Sequence, residues 1–512
     1  MKRKASANYI ISFLTILIVL FFFMRLEAEE NNINQIGVLQ VIDRCLEANF
    51  NIQQQKLQVK IVDGRLQQLY GDFDYSINSF ISFDHKAKSI FNSITDITTI
   101  GVGLNKQFAN GMNLSANIND QKTINPDNPQ PVNFSTIDFA IAIPLLKNAG
   151  RNSVYANVTA AKLNLKEEKF TLQDQICQSI KQVLIAYWEY VAGNLVLEER
   201  KKAEQRAKSL VDDTNELIRL EEVAPSEIIQ YQGNLGNKIS ARLAQEQSVY
   251  EIKLNLGKLL GLSIDESINL PVPADNFPNI KNVHVKQGAE IVANILNESQ
   301  KNRSDYLAVV NEKAAAMVLY EAAKKNVKPD LNLTLNVGYN GYKPGNDMSS
   351  FFDSLITNIP GFNVNMGIKY VWVLANNVSE GHFKQQYFNM QQIINKEKEL
   401  LANIKKDIMT NYMQIIRLIQ QFSFTWESTK NFALAFENEK IKYKMNMSTQ
   451  INIIETEDRF IEAAISEIII KKQLSIAILN LLYCMGELGH FEDDKFIVDK
   501  AKLIDLPSII VE

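Results

Sequence analysis

The side chains able to carry acid–base, nucleophilic or metal chemistry are few in this chain and poorly spaced for it. The four histidines, His85, His284, His382 and His490, are scattered among loops and helix ends, with no helical pair of the kind a metal site uses. Cys45, Cys177 and Cys484 are an odd number, far apart, without zinc-like or disulfide-framework spacing, and read as plain thiols. No serine or cysteine stands in a nucleophile turn, and no glycine-rich loop suits a phosphate. The residues therefore predict no enzyme, no cofactor and no metal. A formal net charge of -4 argues against nucleic acid as a partner, since that would call for a basic stripe. What remains is a set of carboxylates beside two helix breaks: Glu221, Glu222 and Glu227 around Ala224-Pro225-Ser226, and Glu455 beyond Met445-Asn446-Met447. A glutamate in a first helical turn favours the helix dipole and needs no other role. A ring of such carboxylates would favour cations and impede anions.

The elements that position these turns repeat. Residues from about 137 to 261 align with 362 to 486 at a constant offset of 225, pairing Lys181 with Lys406, Tyr187 with Tyr412, Asn255 with Asn480 and Gly261 with Gly486. Inserting one residue into a helix turns the following apolar stripe by about 100°. An unbroken register over this distance therefore implies long helices that tolerate no slip. Apolar periodicity and breakers place helices at about 36–69, 150–219, 226–261, 288–327, 377–445 and 450–487. In each half, a helix about 100 Å long at 1.5 Å per residue accompanies two of roughly half that length. This is the pattern of antiparallel coiled coils.

Between the helices the period changes to two. Phe73–Phe83, Ile97–Phe108, Met112–Ile118 and Phe134–Ile143 read as strands in the first half, with a turn at Ala109-Asn110-Gly111. Leu331–Tyr339 and Phe362–Trp372 read as strands in the second. Segments of about ten residues with one apolar face match transmembrane strands, whose backbone groups must pair in a closed barrel. Four to six strands cannot close one, because the smallest barrels have about eight. Pooling strands in a cyclic trimer would give 12 to 18.

The amino terminus runs Lys2-Arg3-Lys4, an apolar segment from Tyr9 to Met24, then Arg25-Leu26-Glu27-Ala28, the order of a secretory signal. The expected organisation is a signal over 1–28, a first repeat over 36–270, a proline-containing linker over 271–286, a second repeat over 287–490 and a tail over 491–512. Beyond the signal no apolar run predicts a helical membrane span.

Ile143-Pro144-Leu145-Leu146-Lys147-Asn148-Ala149-Gly150-Arg151 resembles the strand-to-helix junction of TolC-type outer-membrane efflux proteins. Lys253–Leu262 is similar to the end of a half in those proteins, and Asn49-Phe50-Asn51-Ile52 and Asn302-Arg303-Ser304-Asp305-Tyr306 resemble their helix-start motif. The likeness spans about 36–490. It implies an α+β membrane protein: a homotrimer whose β-barrel, several strands per chain, sits in outer-membrane lipid and continues into a periplasmic coiled-coil tunnel. It also implies a passive exit duct for efflux or secretion, docked through a periplasmic adaptor to an inner-membrane pump. Pro144, Leu145, Gly150 and Arg151 would form the junction, with Pro144 supplying a preset φ at the helix start. The second junction has Lys369-Tyr370-Val371-Trp372 instead, where Asn376 and Asn377 are candidate helix caps and Trp372 is either interfacial or core. The resemblance places the pore constriction at the two helix turns and assigns it to Glu227, Tyr443, Asn452 and Glu455. Asn446 suits a positive φ in the second turn, whereas Glu221 does not obviously do so in the first. Ser448 or Thr449 would cap the outgoing helix. The reading from another class is a secreted periplasmic coiled-coil scaffold or adaptor, which would carry a single helical hairpin between compact β-domains.

Overall fold

The computed structural model describes residues 35–87, 95–125, 128–278, 288–359, 361–445, 447–492 and 495–498. The signal, half of the linker and most of the tail lie outside these residues. The described parts of Met1–Lys56, Leu172–Ser304 and Ala402–Glu512 form one compact unit, and Leu57–Thr171 with Asp305–Leu401 form a second. Each draws segments from both halves of the sequence.

In chain order the helices are α1 (Val38–Ala48), α2 (Phe50–Tyr70), α3 (Arg151–Val154), α4 (Ala156–Arg219), α5 (Ile228–Leu259), α6 (Ile264–Ile268), α7 (Ala289–Asn302), α8 (Ser304–Asn326), α9 (Met348–Asp353), α10 (Asn377–Lys444) and α11 (Gln450–Met485). The strands are β1 (Gln35–Ile36), β2 (Tyr75–Lys86), β3 (Thr95–Gln107), β4 (Asn113–Asn125), β5 (Asn128–Pro144), β6 (Val272–Pro273), β7 (Asp330–Pro344), β8 (Phe362–Val371), β9 (His490–Glu492) and β10 (Lys495–Ile497). Two expected helices, 36–69 and 288–327, are each two. Asn49 interrupts the first: its side-chain oxygen accepts from the N–H groups of Asn51 and Ile52 at 3.0 and 3.3 Å, capping α2, while its amide donates to the Leu259 carbonyl at 2.7 Å. Arg303, with ψ 120°, interrupts the second.

The 225-residue offset persists in the backbone. α4 ends at Arg219 and α10 at Lys444, and Gly261 and Gly486 close α5 and α11 with φ 67° and 74°. At both glycines the next N–H reaches back five residues, Leu262 to Gly257 at 2.9 Å and Glu487 to Leu482 at 3.0 Å. This left-handed cap is one that glycine adopts without a Cβ penalty.

The first unit is helical around a buried core. Val38, Val41, Ile42 and Cys45 of α1, Tyr187, Trp188 and Tyr190 of α4, and Leu256 of α5 are all buried. The Asp275 carboxylate accepts from the Val38 N–H and from the Tyr187 hydroxyl, both at 2.7 Å, and so ties α1 to α4. β1 and β6 pair in parallel beside it. α11 is long and apolar enough to cross a membrane by length and composition, contrary to the sequence expectation. Its Ile470, Leu474, Ala477, Ile478, Leu481 and Leu482 are buried, so this apolar character belongs to the core. The three cysteines are buried and form no disulfide, and burial pushes the Cys45 thiol up to about 12.

The second unit contains a six-stranded sheet in the order β2-β3-β4-β5-β7-β8, every neighbouring pair antiparallel. Six strands are the upper end of the expected four to six, and β3 and β4 turn at Asn110 and Gly111 (φ 92°). The register puts Ile77, Leu104, Ala116, Phe139, Val337 and Val364 in one row across the sheet. Ser76, Asn105, Ser115, Ala140, Asn336 and Asn365 form the row on the opposite face. One face is thus aliphatic and aromatic while the other carries amides and hydroxyls, because side chains alternate with period two. The aliphatic face lies open to the surroundings: Ile77, Ile81, Phe83, Val364, Met366 and Ile368 are all exposed.

In the same unit, an open cleft of about 610 Å³ is lined by Arg65, Leu69, Asn164, Glu167 and Glu312 among others. Partial burial first, then the Glu312 and Glu168 charges, raise Glu167 from 4.5 to about 7. A carboxyl whose folded value is raised stabilises the fold at low pH, and that contribution is lost as pH rises from about 4.5 to about 7. Glu167→Gln is expected to melt higher than the parent above this window and equally below it, as read by circular dichroism at both ends.

Candidate functional site: the two helix turns

The first turn follows directly from the end of α4. Glu221 takes φ 57°, its N–H donates to the Ile218 carbonyl at 3.0 Å, and the Glu222 N–H donates to the Leu217 carbonyl at 2.9 Å. Glu221 therefore does occupy the left-handed position, against expectation, because satisfying the last carbonyls outweighs the Cβ penalty there. Replacing it with glycine is expected to stabilise the fold by about 1 kcal/mol, visible as a higher melting temperature. Pro225–Glu227 then form a short 3-10 turn that leads into α5.

At the second turn, Met447 N–H reaches the Lys442 carbonyl at 2.9 Å, while the expected positive φ at Asn446 lies outside the described residues. Thr449 is the cap of α11, its hydroxyl accepting from the Asn452 N–H at 3.4 Å. Ser448 instead donates to Glu439, whose carboxyl is held below the usual range by Ser448 first and Lys442 second.

Two of the four candidate constriction residues take part in two contacts between the turns, linked by the charge of Glu227 acting on Tyr231. The Gln450 amide donates to the Glu227 carboxylate, and the Tyr231 hydroxyl donates to the Tyr443 hydroxyl at 3.4 Å. Burial, then Tyr443, then the Glu227 charge raise the Tyr231 phenol, so it stays protonated as the donor. The other two lie apart: Asn452 bonds to Ser448 at 3.4 Å, and Glu455 pairs with Arg459 at 2.5 Å on an exposed surface. Sequence reasoning missed Tyr231 and Gln450. The signal available for Tyr231 was its place one helical turn after Glu227.

Behind these contacts Arg206 of α4 pairs with Glu457 of α11 at 2.6 Å, with Glu457 wholly buried. The guanidinium lies 6.0 and 5.9 Å from the Phe436 and Phe460 rings. Lys238 pairs with Asp458 and Arg242 with Glu204, so α5 is tied to both α11 and α4.

At the strand-to-helix junction, Pro144 ends β5, opposite Asn332, instead of starting a helix. Its missing N–H costs little there because the ladder with β4 has already ended at Ala142, opposite Asn113. Leu145 continues the ladder by donating to the Leu331 carbonyl at 2.7 Å. Gly150, at φ 82°, precedes α3, and the Arg151 guanidinium stacks on Tyr155 at 4.9 Å. At the second junction the Asn376 amide donates to the Val327 carbonyl at 2.8 Å, and its own carbonyl accepts from the Glu380 N–H at 3.0 Å. Trp372 is exposed together with Val373, Leu374 and Val378, and is not a core tryptophan.

No family model and no curated protein matches the chain. Solved structures do. It is similar to the CmeC outer membrane channel of Campylobacter jejuni, at 13% identity and TM-score 0.66, over 88% of this chain and 85% of that one. It is similar to the outer membrane protein VceC of Vibrio cholerae, at 15% identity and TM-score 0.65, over 88% and 96%. It is also similar to the open state of the MtrE outer membrane channel of Neisseria gonorrhoeae, at 12% identity and TM-score 0.63, over 88% of each. With long helices ending in two capped turns, and an antiparallel sheet divided into an apolar and a polar face, the chain has the fold of these outer-membrane channels.

Proposed function

We propose that this protein is the outer-membrane channel-tunnel of a tripartite export system, a passive exit duct in the TolC-type family, driven by an inner-membrane transporter. The observation that carries the reading is the sheet. It has an apolar face suited to lipid and a polar face suited to a lumen, and its two end strands, β2 and β8, have no partner on their outer edges within the described sheet. Open edges do not survive in hydrocarbon. Five antiparallel steps make β8 run opposite to β2, so β8 of one copy can continue the antiparallel ladder on β2 of the next. Three copies of a six-stranded sheet give eighteen strands, within the range of lipid-spanning barrels. Ten residues of β8 at about 3.3 Å each, tilted by about 40°, match an apolar band about 25 Å tall.

In this reading the two halves are an internal duplication, and the helices enclose a periplasmic tunnel closed at the two turns. Glu227 and Tyr443, joined by Gln450 and Tyr231, hold the mouth through bonds weak enough to break when a partner docks. Adaptor helices seat near residues 210–235 and 435–460 in a helix-in-groove contact. Export is powered by the partner, and this chain contributes no catalysis of its own.

The protein is expected to fractionate with the outer membrane and to form channels in planar bilayers. Glu227→Ala combined with Tyr443→Phe should raise single-channel conductance and weaken block by multivalent cations, while Glu222→Ala does neither. Recovery as a water-soluble periplasmic protein without channel activity would favour the scaffold reading.

A further inference from the structure

The segment between β7 and β8, residues 345–359, buries hydroxyls against the sheet and exposes a row of large apolar side chains. Across the sheet, Ile81 and Ile100 stand in register with Asp120, Ser135 and Gly341, so the apolar face becomes polar on β4, β5 and β7 at that level. The segment folds back over this polar row. The Ser354 hydroxyl bonds to Ser135 and donates to the Asp120 carboxylate at 3.1 Å. In the next row Lys122 donates to the Asn346 carbonyl and side chain at 2.8 and 2.7 Å, and Lys343 pairs with Asp353 at 2.5 Å. Tyr342 N–H donates to the Thr357 carbonyl at 3.2 Å, and Asn133 donates to the Gly345 carbonyl at 3.0 Å.

The fit is close. A Cβ at Gly341 would meet the Ser354 carbonyl oxygen at 2.0 Å, so glycine is what lets the segment lie down here. As a result Asp120 is 5% exposed, and Asn133, Ser135 and Ser354 are 0% exposed. The outer side is the opposite. Met348, Phe352 and Ile356, four residues apart, are 70%, 53% and 78% exposed. Ser350 and Ser354 thus turn inward to the sheet, while Met348, Phe352 and Ile356 turn outward among the exposed Asn346, Asp347, Ser349 and Asn358, on the face that also exposes Ile77, Ile81 and Phe83. A surface that presents methionine, phenylalanine and isoleucine beside exposed amides and a carboxylate is amphipathic, as an interfacial segment is, with apolar groups for the acyl side and polar groups for the headgroups.

We propose that residues 345–359 form a lipid-contacting collar, which covers the polar end of the barrel's outward face and places Met348, Phe352 and Ile356 at the headgroup–acyl boundary of the membrane. This rests on the channel reading, which makes that face the one toward lipid. The continuity of the collar with that face argues for lipid as its occupant over a second protein.

Single cysteines replacing Met348, Ile356 and, as a reference, Ile77 would be spin-labelled in the full-length protein in phosphatidylcholine proteoliposomes. The three native cysteines are buried, so the label reports the new site. Collision rates with oxygen, which partitions into lipid, and with a neutral nickel chelate, which stays in water, are then compared. The expected result is an oxygen-to-nickel ratio several-fold higher at all three positions than at Glu222→Cys in the helix turn. A high ratio at 77 with a low ratio at 348 and 356 would overturn the collar and leave the channel reading intact. Low collision rates with both reagents at 348 and 356 would mean that protein covers the segment, and would also overturn it. A low ratio at all positions, including 77, would overturn the channel reading and the collar with it.

Discussion

Arg206→Ala is expected to destabilise the helical unit by about 3–5 kcal/mol, the cost of leaving a buried charge without its partner. Glu457 is wholly buried and its nearest cation is Arg206 at 2.6 Å, so removing the guanidinium strands a carboxylate that water cannot reach. The reverse change is expected to be milder. In Glu457→Ala the arginine keeps the Phe436 and Phe460 rings, and it is 28% exposed, so part of its solvation survives. Replacing both residues by leucine should recover much of the loss, because an apolar pair of similar volume carries no desolvation cost. Melting temperatures of the two alanine variants and the double-leucine variant, followed by helical circular dichroism, check this ordering. Equal losses for the two alanine variants would show that the pair is solvated in the assembled protein.

The second large effect is all-or-none and concerns the seam between copies. A variant with one cysteine on β2 in place of Asn78 and one on β8 in place of Asn363, both on the polar face, should form covalent dimers and trimers with a short flexible bis-maleimide, and nothing larger. The reason is geometric: β2 and β8 end a single sheet, so within a chain they are separated by β3, β4, β5 and β7 and can meet only between copies. Ring closure limits the ladder to the number of copies in the ring. A ladder ending at three supports eighteen strands, and one ending at two would mean twelve. An unlimited ladder would mean an open filament, and with it the loss of the channel reading.

Much of this architecture was legible because the residues that specify it act locally. The period of 3.6 along Asn377–Lys444, the period of two along Tyr75–Phe83, and the left-handed glycines 261 and 486 each encode their own element. The constant offset between the halves was visible for the same reason, since a rigid helix cannot absorb an insertion without turning its apolar stripe. The turn sequences around Glu227 and Tyr443 were also legible as breaks between helices. What local pattern could not give was anything set by cancellation between distant groups. Glu221 reads as a poor left-handed residue until the carbonyls at Leu217 and Ile218 are seen to need its turn. By periodicity alone Asn49 reads as a helix-interior residue, and the Leu259 carbonyl that holds its side chain lies 210 residues away.

Tertiary structure alone decided which carboxylates act together and which face of the sheet is covered. Glu227 and Glu455 are equivalent by type and both follow a turn, yet one meets Gln450 across the helical unit and the other only Arg459 on its own helix. Asp120, Lys122 and Lys343 look like errors on an apolar strand face until residues 345–359 fold over them and supply Ser354, Asn346 and Asp353. Sequence determined the elements, their periods and their order, because dihedral preference and side-chain alternation are properties of neighbours in the chain. The Arg206–Glu457 pair and the burial of Asp120 against Ser354 bridge separations of more than two hundred residues, and these only packing can close.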